Sequence, residues 1–296
     1  MTEAHYIEQI KKSITFIFHV KDNEVKALGT GFFVGVKVNS TGGYITYLVT
    51  AKHVLISDNG DILTTVYLRL NRQNDAPLVK LTFDRSSVLM HHDINVDLVC
   101  IPVTLDEQNF DVLYIPNSYF AGVEIIREKG IAEGTNIFYG GLFDPYIGFQ
   151  KNYPVFRFGR VSSLPNEKIR ITKPTEPLKM AHLYLFETHA FAGFSGAPVF
   201  FELDRLSQLN TIRYGNPEVY LAGIMKGHYK DLIYDSLLES SQNNDYILRE
   251  INLGIAAVTP CYLLMEIVFS AAEISARENV EINPNRKNFI QNIRLE

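Results

Sequence analysis

Apolar residues in this chain fall into short runs, many of them alternating with polar positions, and turn-forming residues separate the runs. Ser13–Val20 reads as a strand, and Ala27–Val38 as the next, with Gly29, Gly31 and Gly35 permitting bends or bulges. Asn39-Ser40-Thr41-Gly42-Gly43 marks a hairpin turn, and Tyr44–Thr50 returns as a strand. Val66–Leu70, Val79–Phe83 and Leu98–Val103 complete a first set of six strands. A second set follows at Asn136–Tyr139, Val155–Ser162, Ile169–Ile171, Leu183–Thr188, Ala197–Phe201, Val219–Met225 and Gly254–Val258. Short strands punctuated by turns predict an all-β barrel or sandwich.

Between the two sets, residues 104–134 carry Pro116, Gly122, Gly130 and Gly134 and lose the alternation, as a linker would. Residues 3–12 read as a short leading helix. The polar stretch 229–250 reads as an insertion before the last strand, helical at Leu232–Leu238. Pro260–Arg277 has helical spacing: Leu263, Ile267, Ser270 and Ala271 share a face, as do Leu264 and Val268. The expected organisation is an N-terminal β-barrel at 1–110, an inter-barrel linker at 111–135, a C-terminal β-barrel with its insertion and closing helix at 136–279, and a polar tail at 280–296.

A length of 296 residues suffices for two small cores. The 19 Phe and 16 Tyr favour strands over helices. The net charge is −5 and the positive residues are scattered, which excludes the basic stripe of a nucleic-acid groove. The longest apolar stretch, Ile255–Ala272, is broken by Pro260 and Glu266, so no membrane span is expected. The first eight residues lack the basic-then-apolar pattern of a signal peptide. The two cysteines, Cys100 and Cys261, lie in apolar runs and read as free thiols of a reducing compartment, the alternative being a disulfide that ties the halves together. These features together predict a cytoplasmic protein.

Candidate chemistry centres on Gly193-Phe194-Ser195-Gly196-Ala197-Pro198. A serine hydroxyl becomes a nucleophile only with a base to take its proton and donors to receive the developing oxyanion. Flanking glycines let backbone N–H groups turn inward where Cβ atoms would obstruct. A base is on offer at His53, in Thr50-Ala51-Lys52-His53-Val54, and an orienting acid at Asp97, in Asp97-Leu98-Val99. The order His, Asp, Ser is one of the three known for this triad. Each of these segments alone is a common turn or strand end; the conjunction, in order and joined by strand-like sequence, carries the weight.

On these three segments and Gly29-Thr30-Gly31-Phe32-Phe33-Val34, the chain resembles the chymotrypsin-like serine proteases over roughly residues 13–262, in particular the bacterial trypsin-like group that includes the HtrA proteases. The resemblance implies two six-stranded antiparallel barrels and a C-terminal helix closing the second, with no room after it for a PDZ domain. It also implies a serine endopeptidase acting on a protein or peptide through an acyl-enzyme, with no metal or organic cofactor. Ser195 would be the nucleophile, His53 the base, Asp97 its orienting partner, and the backbone N–H groups of Gly193 and Ser195 the oxyanion hole. The substrate pocket would be built from His189 and Ala190 before the serine and from Lys226, Gly227 and His228; no carboxylate stands at its base, so an uncharged or acidic side chain is expected rather than Lys or Arg. Lys226 and His228 could equally point to solvent.

Phe194 stands where digestive members carry an Asp, and Ala197 where Gly is commonest; neither departure removes the chemistry. A protease of this kind inside a cell needs restraint, so gating by an activating partner, a ligand or the 229–250 segment is expected. Competing readings are weaker. An α/β-hydrolase elbow needs Gly-x-Ser-x-Gly followed by a helix, and here Ala197 and Pro198 lead into a strand. His91-His92-Asp93 could suggest a metal site but reads as an exposed loop. Neither cysteine lies in the nucleophile segment. The alternative of another class is a protease fold that is catalytically silent and serves as a binding or regulatory module.

Overall fold

The computed structural model describes residues 6–22, 24–57, 59–148, 151–171, 177–203, 217–234 and 248–279, excepting the side chains of 228–234 and 248–253. A short helix α1 (Tyr6–Ser13) leads into the first sheet, made of β1 (Ile14–Lys21), β2 (Glu24–Lys37), β3 (Tyr44–Thr50), β4 (Thr65–Arg69), β5 (Leu78–Thr82), β6 (Leu89–Met90), β7 (Val99–Val103) and β8 (Ile115–Pro116). Its strands run in the order β5-β4-β1-β2-β3-β7-β6, and β8 adds to β2 in parallel, through Val34 and Ile115. After helix α2 (Val123–Glu128) come β9 (Asn136–Gly141), β10 (Val155–Ser163), the short ladder of β11 (Ile169–Arg170) and β12 (Met180–Ala181), then β13 (Tyr184–Glu187), β14 (Pro198–Leu203), β15 (Glu218–Tyr234) and β16 (Leu248–Pro260). Six of these close into a barrel in the order β10-β13-β16-β15-β14-β9. Helices α3 (Cys261–Val268) and α4 (Ala271–Glu278) follow.

The protein is therefore all-β, with two β units and closing C-terminal helices, as the resemblance implies. The second unit is a closed six-stranded barrel, whereas the ladder of the first curls without closing. The reason β1, β2, β3 and β7 read as unbroken apolar runs is that both faces of this sheet are covered. Ile17, Phe33, Leu48 and Ile101 point into its own core. Their neighbours Phe16, Phe32, Tyr47 and Cys100 point the other way, as alternate strand residues must, and pack with Phe138, Phe200, Leu221, Cys261 and Leu264 of the second half. A third cluster, with Tyr139, Phe186, Phe194, Val199 and Phe201, fills the barrel.

Three further expectations differ from what forms. The single C-terminal helix is two, because Ser270 interrupts it: its hydroxyl accepts the Glu273 N–H at 3.3 Å and caps α4. The leading helix runs on through Ser13, with residues 1–5 outside the described residues. The helix expected at Leu232–Leu238 is not seen at its start: Leu232, Ile233 and Tyr234 extend β15 and pair with Glu250, Arg249 and Leu248 of β16. Residues 235–247 of that segment, and the tail 280–296, lie outside the described residues.

Candidate active site

Just past the end of β3, a single 3₁₀ turn (Lys52–Leu55) sets His53. Val54 and Leu55 are buried in the core of the first sheet, which leaves His53 half-exposed at 48 % on the outer side of the turn. Asp97 stands before β7 between two buried anchors, Val96 and Leu98. The turn that presents it is closed by the Val96 N–H donating to the Asp93 C=O at 3.0 Å and the Asn95 N–H donating to the Asp93 carboxylate at 2.9 Å. The two side chains meet: Asp97 Oδ2 lies 2.7 Å from His53 Nδ1, and Asp97 Oδ1 accepts the His53 backbone N–H at 2.9 Å. A carboxylate facing Nδ1 fixes the tautomer with the proton on Nδ1 and leaves the Nε2 lone pair free to accept one. Burial pushes the Asp97 carboxyl up, but the hydrogen bonds and charge of His53 and the charge of Lys226 outweigh it, holding Asp97 well below the usual carboxylate range.

Ser195 is carried by the turn before β14. Phe194, fully buried, plugs the barrel core with its ring edge-on to Tyr139 at 5.2 Å, so the residue after it is directed outward. Gly193 (φ +95°) and Gly196 (φ +86°) adopt left-handed backbone that other residues avoid; a Cβ on Gly196 would come 2.1 Å from the Thr30 carbonyl. Thr30, on β2, clasps this turn from the first sheet. Its N–H donates to the Ser195 C=O at 2.9 Å, and its hydroxyl donates to the Gly193 C=O at 2.7 Å while accepting the Leu142 N–H at 2.8 Å. The serine turn is thereby fixed to the sheet that bears His53 and Asp97. Among the described residues, the N–H groups of Gly193 and Ser195 donate to no hydrogen bond. The Ser195 hydroxyl donates to the Lys226 C=O at 3.3 Å, and among the described residues it makes no hydrogen bond with His53.

The expected pocket residues divide. Ala190 is buried; His189 is exposed, its C=O accepting the Tyr139 hydroxyl at 2.9 Å. Gly227 is half-buried beside Lys226, and the His228 side chain lies outside the described residues. Lys226 extends its ammonium to Asp97 Oδ2 at 3.0 Å. Sequence reasoning gave no role to Thr30, although it had singled out the Gly29–Val34 segment, nor to Arg157, whose guanidinium lies 5.0 Å over the ring of the exposed Phe191.

His91, His92 and Glu266 offer ligand atoms within 4.8 Å of one another. The hydrogen bonds oppose a metal there. His91 Nδ1 accepts the Asp93 N–H at 3.0 Å, which assigns the ring proton to Nε2, and Nε2 donates to Glu266 at 2.7 Å. The segment is a loop with His92 exposed, as expected, but the His91 side chain is buried and links the first half to α3. Cys100 and Cys261 are both free and buried, and among the described residues no helix is long and apolar enough to cross a membrane.

No protein-family model matches the chain, and no curated protein matches it. Among solved structures it is similar to the active form of the Rv3671c protease from M. tuberculosis, at 15% identity over 90% of this chain and 83% of that one, with a TM-score of 0.46. It is also similar to the inactive form of that protease, at 13% identity over 89% and 90% of the two chains and a TM-score of 0.44. At such identities function has to be read from this chain's own residues.

Proposed function

We propose that this chain is a serine endopeptidase in which His53, Asp97 and Ser195 act as a triad on a protein or peptide substrate. The observation that carries the reading is the His53–Asp97 pair, with Nδ1 held at 2.7 Å and the Nε2 side left open, set on the sheet to which Thr30 binds the serine turn. In the mechanism this supports, His53 Nε2 takes the Ser195 hydroxyl proton as the oxygen attacks the scissile carbonyl. Asp97 stabilises the imidazolium that results. The unengaged N–H groups of Gly193 and Ser195 are the donors available to the oxyanion. The imidazolium then protonates the leaving amine, and water, deprotonated by the same base, releases the acyl group. None of these steps calls on a metal or organic cofactor.

A second reading has an observation of its own. The Ser195 hydroxyl rests on the Lys226 carbonyl and not on His53. That arrangement suits either a gated enzyme, in which substrate or an activating partner turns the hydroxyl toward the base, or a silent module that binds without cleaving. Hydrogen bonds of this kind are often long or unmade before substrate arrives, so we favour gating.

Labelling with a fluorophosphonate probe tests the reading. Wild type is expected to label at Ser195, the Ser195→Ala variant not at all, and the His53→Ala variant about 10⁴-fold more slowly or worse. Equal labelling rates in wild type and the His53→Ala variant, or no labelling of folded wild type with or without peptide substrates, would favour the silent module.

A further inference from the structure

Asp97 Oδ2 receives two donors, His53 Nδ1 at 2.7 Å and, from β15 in the other half of the molecule, Lys226 Nζ at 3.0 Å. An aspartate that only orients a histidine needs the first and not the second. The same Lys226 also touches the far end of the triad, since its carbonyl holds the Ser195 hydroxyl at 3.3 Å. Backbone and side chain of one residue thus reach both Ser195 and Asp97. We infer that Lys226 is a positioning residue for His53: its ammonium shares the Asp97 carboxylate and so keeps the imidazole neutral, and able to accept a proton, at lower pH than a His–Asp pair alone would allow. The inference rests on His53 being the base of the proposed triad.

The physical argument is one of two cations competing for one anion. A carboxylate beside an imidazole normally stabilises the protonated ring. An ammonium on the same oxygen takes up part of that attraction and repels the ring's positive form, the two cations sitting within about 6 Å of each other. Both side chains are partly exposed, Lys226 at 27 % and His53 at 48 %, so solvent screening weakens the effect without removing it. Other charged groups near the cluster do not substitute for Lys226. Lys52 donates to the Ile94 C=O at 2.6 Å and acts on Asp97 and Lys226 only through its field. Asp93 is tied to Lys168 at 2.8 Å.

Substitution of Lys226 removes the ammonium but keeps the carbonyl that holds Ser195, so Lys226→Met isolates the charge. The His53 ring is followed by NMR between pH 4 and 9, its signal assigned with the His53→Gln variant, in wild type and in the Lys226→Met, Lys226→Gln and Lys226→Arg variants. The expected result is a higher His53 titration midpoint in the Met and Gln variants than in wild type, with Arg close to wild type. The acid limb of the fluorophosphonate labelling rate should move with it. A midpoint that stays in place while the melting temperature falls would overturn the inference and make Lys226 a structural tie between the halves. Gln serves should Met fail to fold. The NMR titration needs no turnover, so a protein that never labels would defeat the proposed function while leaving the titration to decide the role of Lys226.

Discussion

Thr30 binds the serine turn, the loop after β9 and the end of β3 at once. Its hydroxyl joins the Leu142 N–H to the Gly193 C=O, its own N–H holds the Ser195 C=O, and its C=O accepts the Thr50 hydroxyl at 2.7 Å. Thr30→Val keeps the shape and deletes the hydroxyl, leaving a buried N–H and a carbonyl without their partner. The expected cost is about 1–3 kcal/mol in urea denaturation. Because the Gly193 carbonyl belongs to the turn that presents the oxyanion donors, labelling of Ser195 should fall at least about 10-fold, and Thr30→Ser should restore both. A variant that loses stability but labels at the wild-type rate would show that this clasp does not shape the site. His53, Asp97 and Ser195 could be picked out from sequence because their three short segments occur together, in the order and with the strand-like spacing that the resemblance to chymotrypsin-like proteases implies. The part played by Thr30 could not, because its partners lie 112 and 163 residues away and nothing local distinguishes it from any buried strand threonine. The Lys226–Asp97 contact is illegible for the same reason: the sequence puts Lys226 in the substrate pocket but gives no sign of the carboxylate it meets across the seam.

At the level of elements, the C-terminal helices are fixed to the first sheet by a buried polar group. Tyr47, fully buried on β3, donates to Glu273 Oε2 at 3.2 Å and accepts from Arg277 at 3.2 Å, and Arg277 also donates to the Val268 C=O that ends α3. Burial is the main reason the Tyr47 hydroxyl is pushed up to about 12, so it stays protonated and able to donate across the ordinary pH range. Arg277 is buried, so removing it takes the donor from both the Tyr47 hydroxyl and the Val268 C=O. Arg277→Met is expected to cost about 1–3 kcal/mol of unfolding free energy, the cost of buried acceptors left unpaired. An Arg277→Met variant as stable as wild type in urea denaturation would exclude this account. The helical spacing from Leu263 to Ala271 announced helix here, and Ser270 with Glu273 three residues on was the legible sign of a second start. The extension of β15 and β16 beyond the barrel carries no such sign. Polar and apolar residues are mixed there without clean alternation (Tyr229-Lys230-Asp231-Leu232-Ile233-Tyr234 and Leu248-Arg249-Glu250-Ile251-Asn252-Leu253), and the pairing comes from the neighbouring ladder.

On the scale of the whole molecule, the candidate site exists only where the halves meet. His53 and Asp97 come from the first sheet, Ser195 and Lys226 from the barrel, and the apolar cluster between them includes both cysteines, Cys100 of β7 and Cys261 at the start of α3. Burial pushes both thiols upward, so neither offers a reactive thiolate in the folded protein. The thiols therefore report on the seam that assembles the site. In the native protein at pH 8, neither cysteine should react with an aromatic disulfide reagent on the timescale of Ser195 labelling. As urea is raised, both should become reactive together, at the concentration where labelling is lost, because opening the seam separates Ser195 from His53 in the same event. Reaction of one thiol while labelling persists would mean that the interface opens locally without dismantling the site. Loss of labelling well before either thiol reacts would place the weak point in the serine turn instead, at the hydrogen bonds of Thr30.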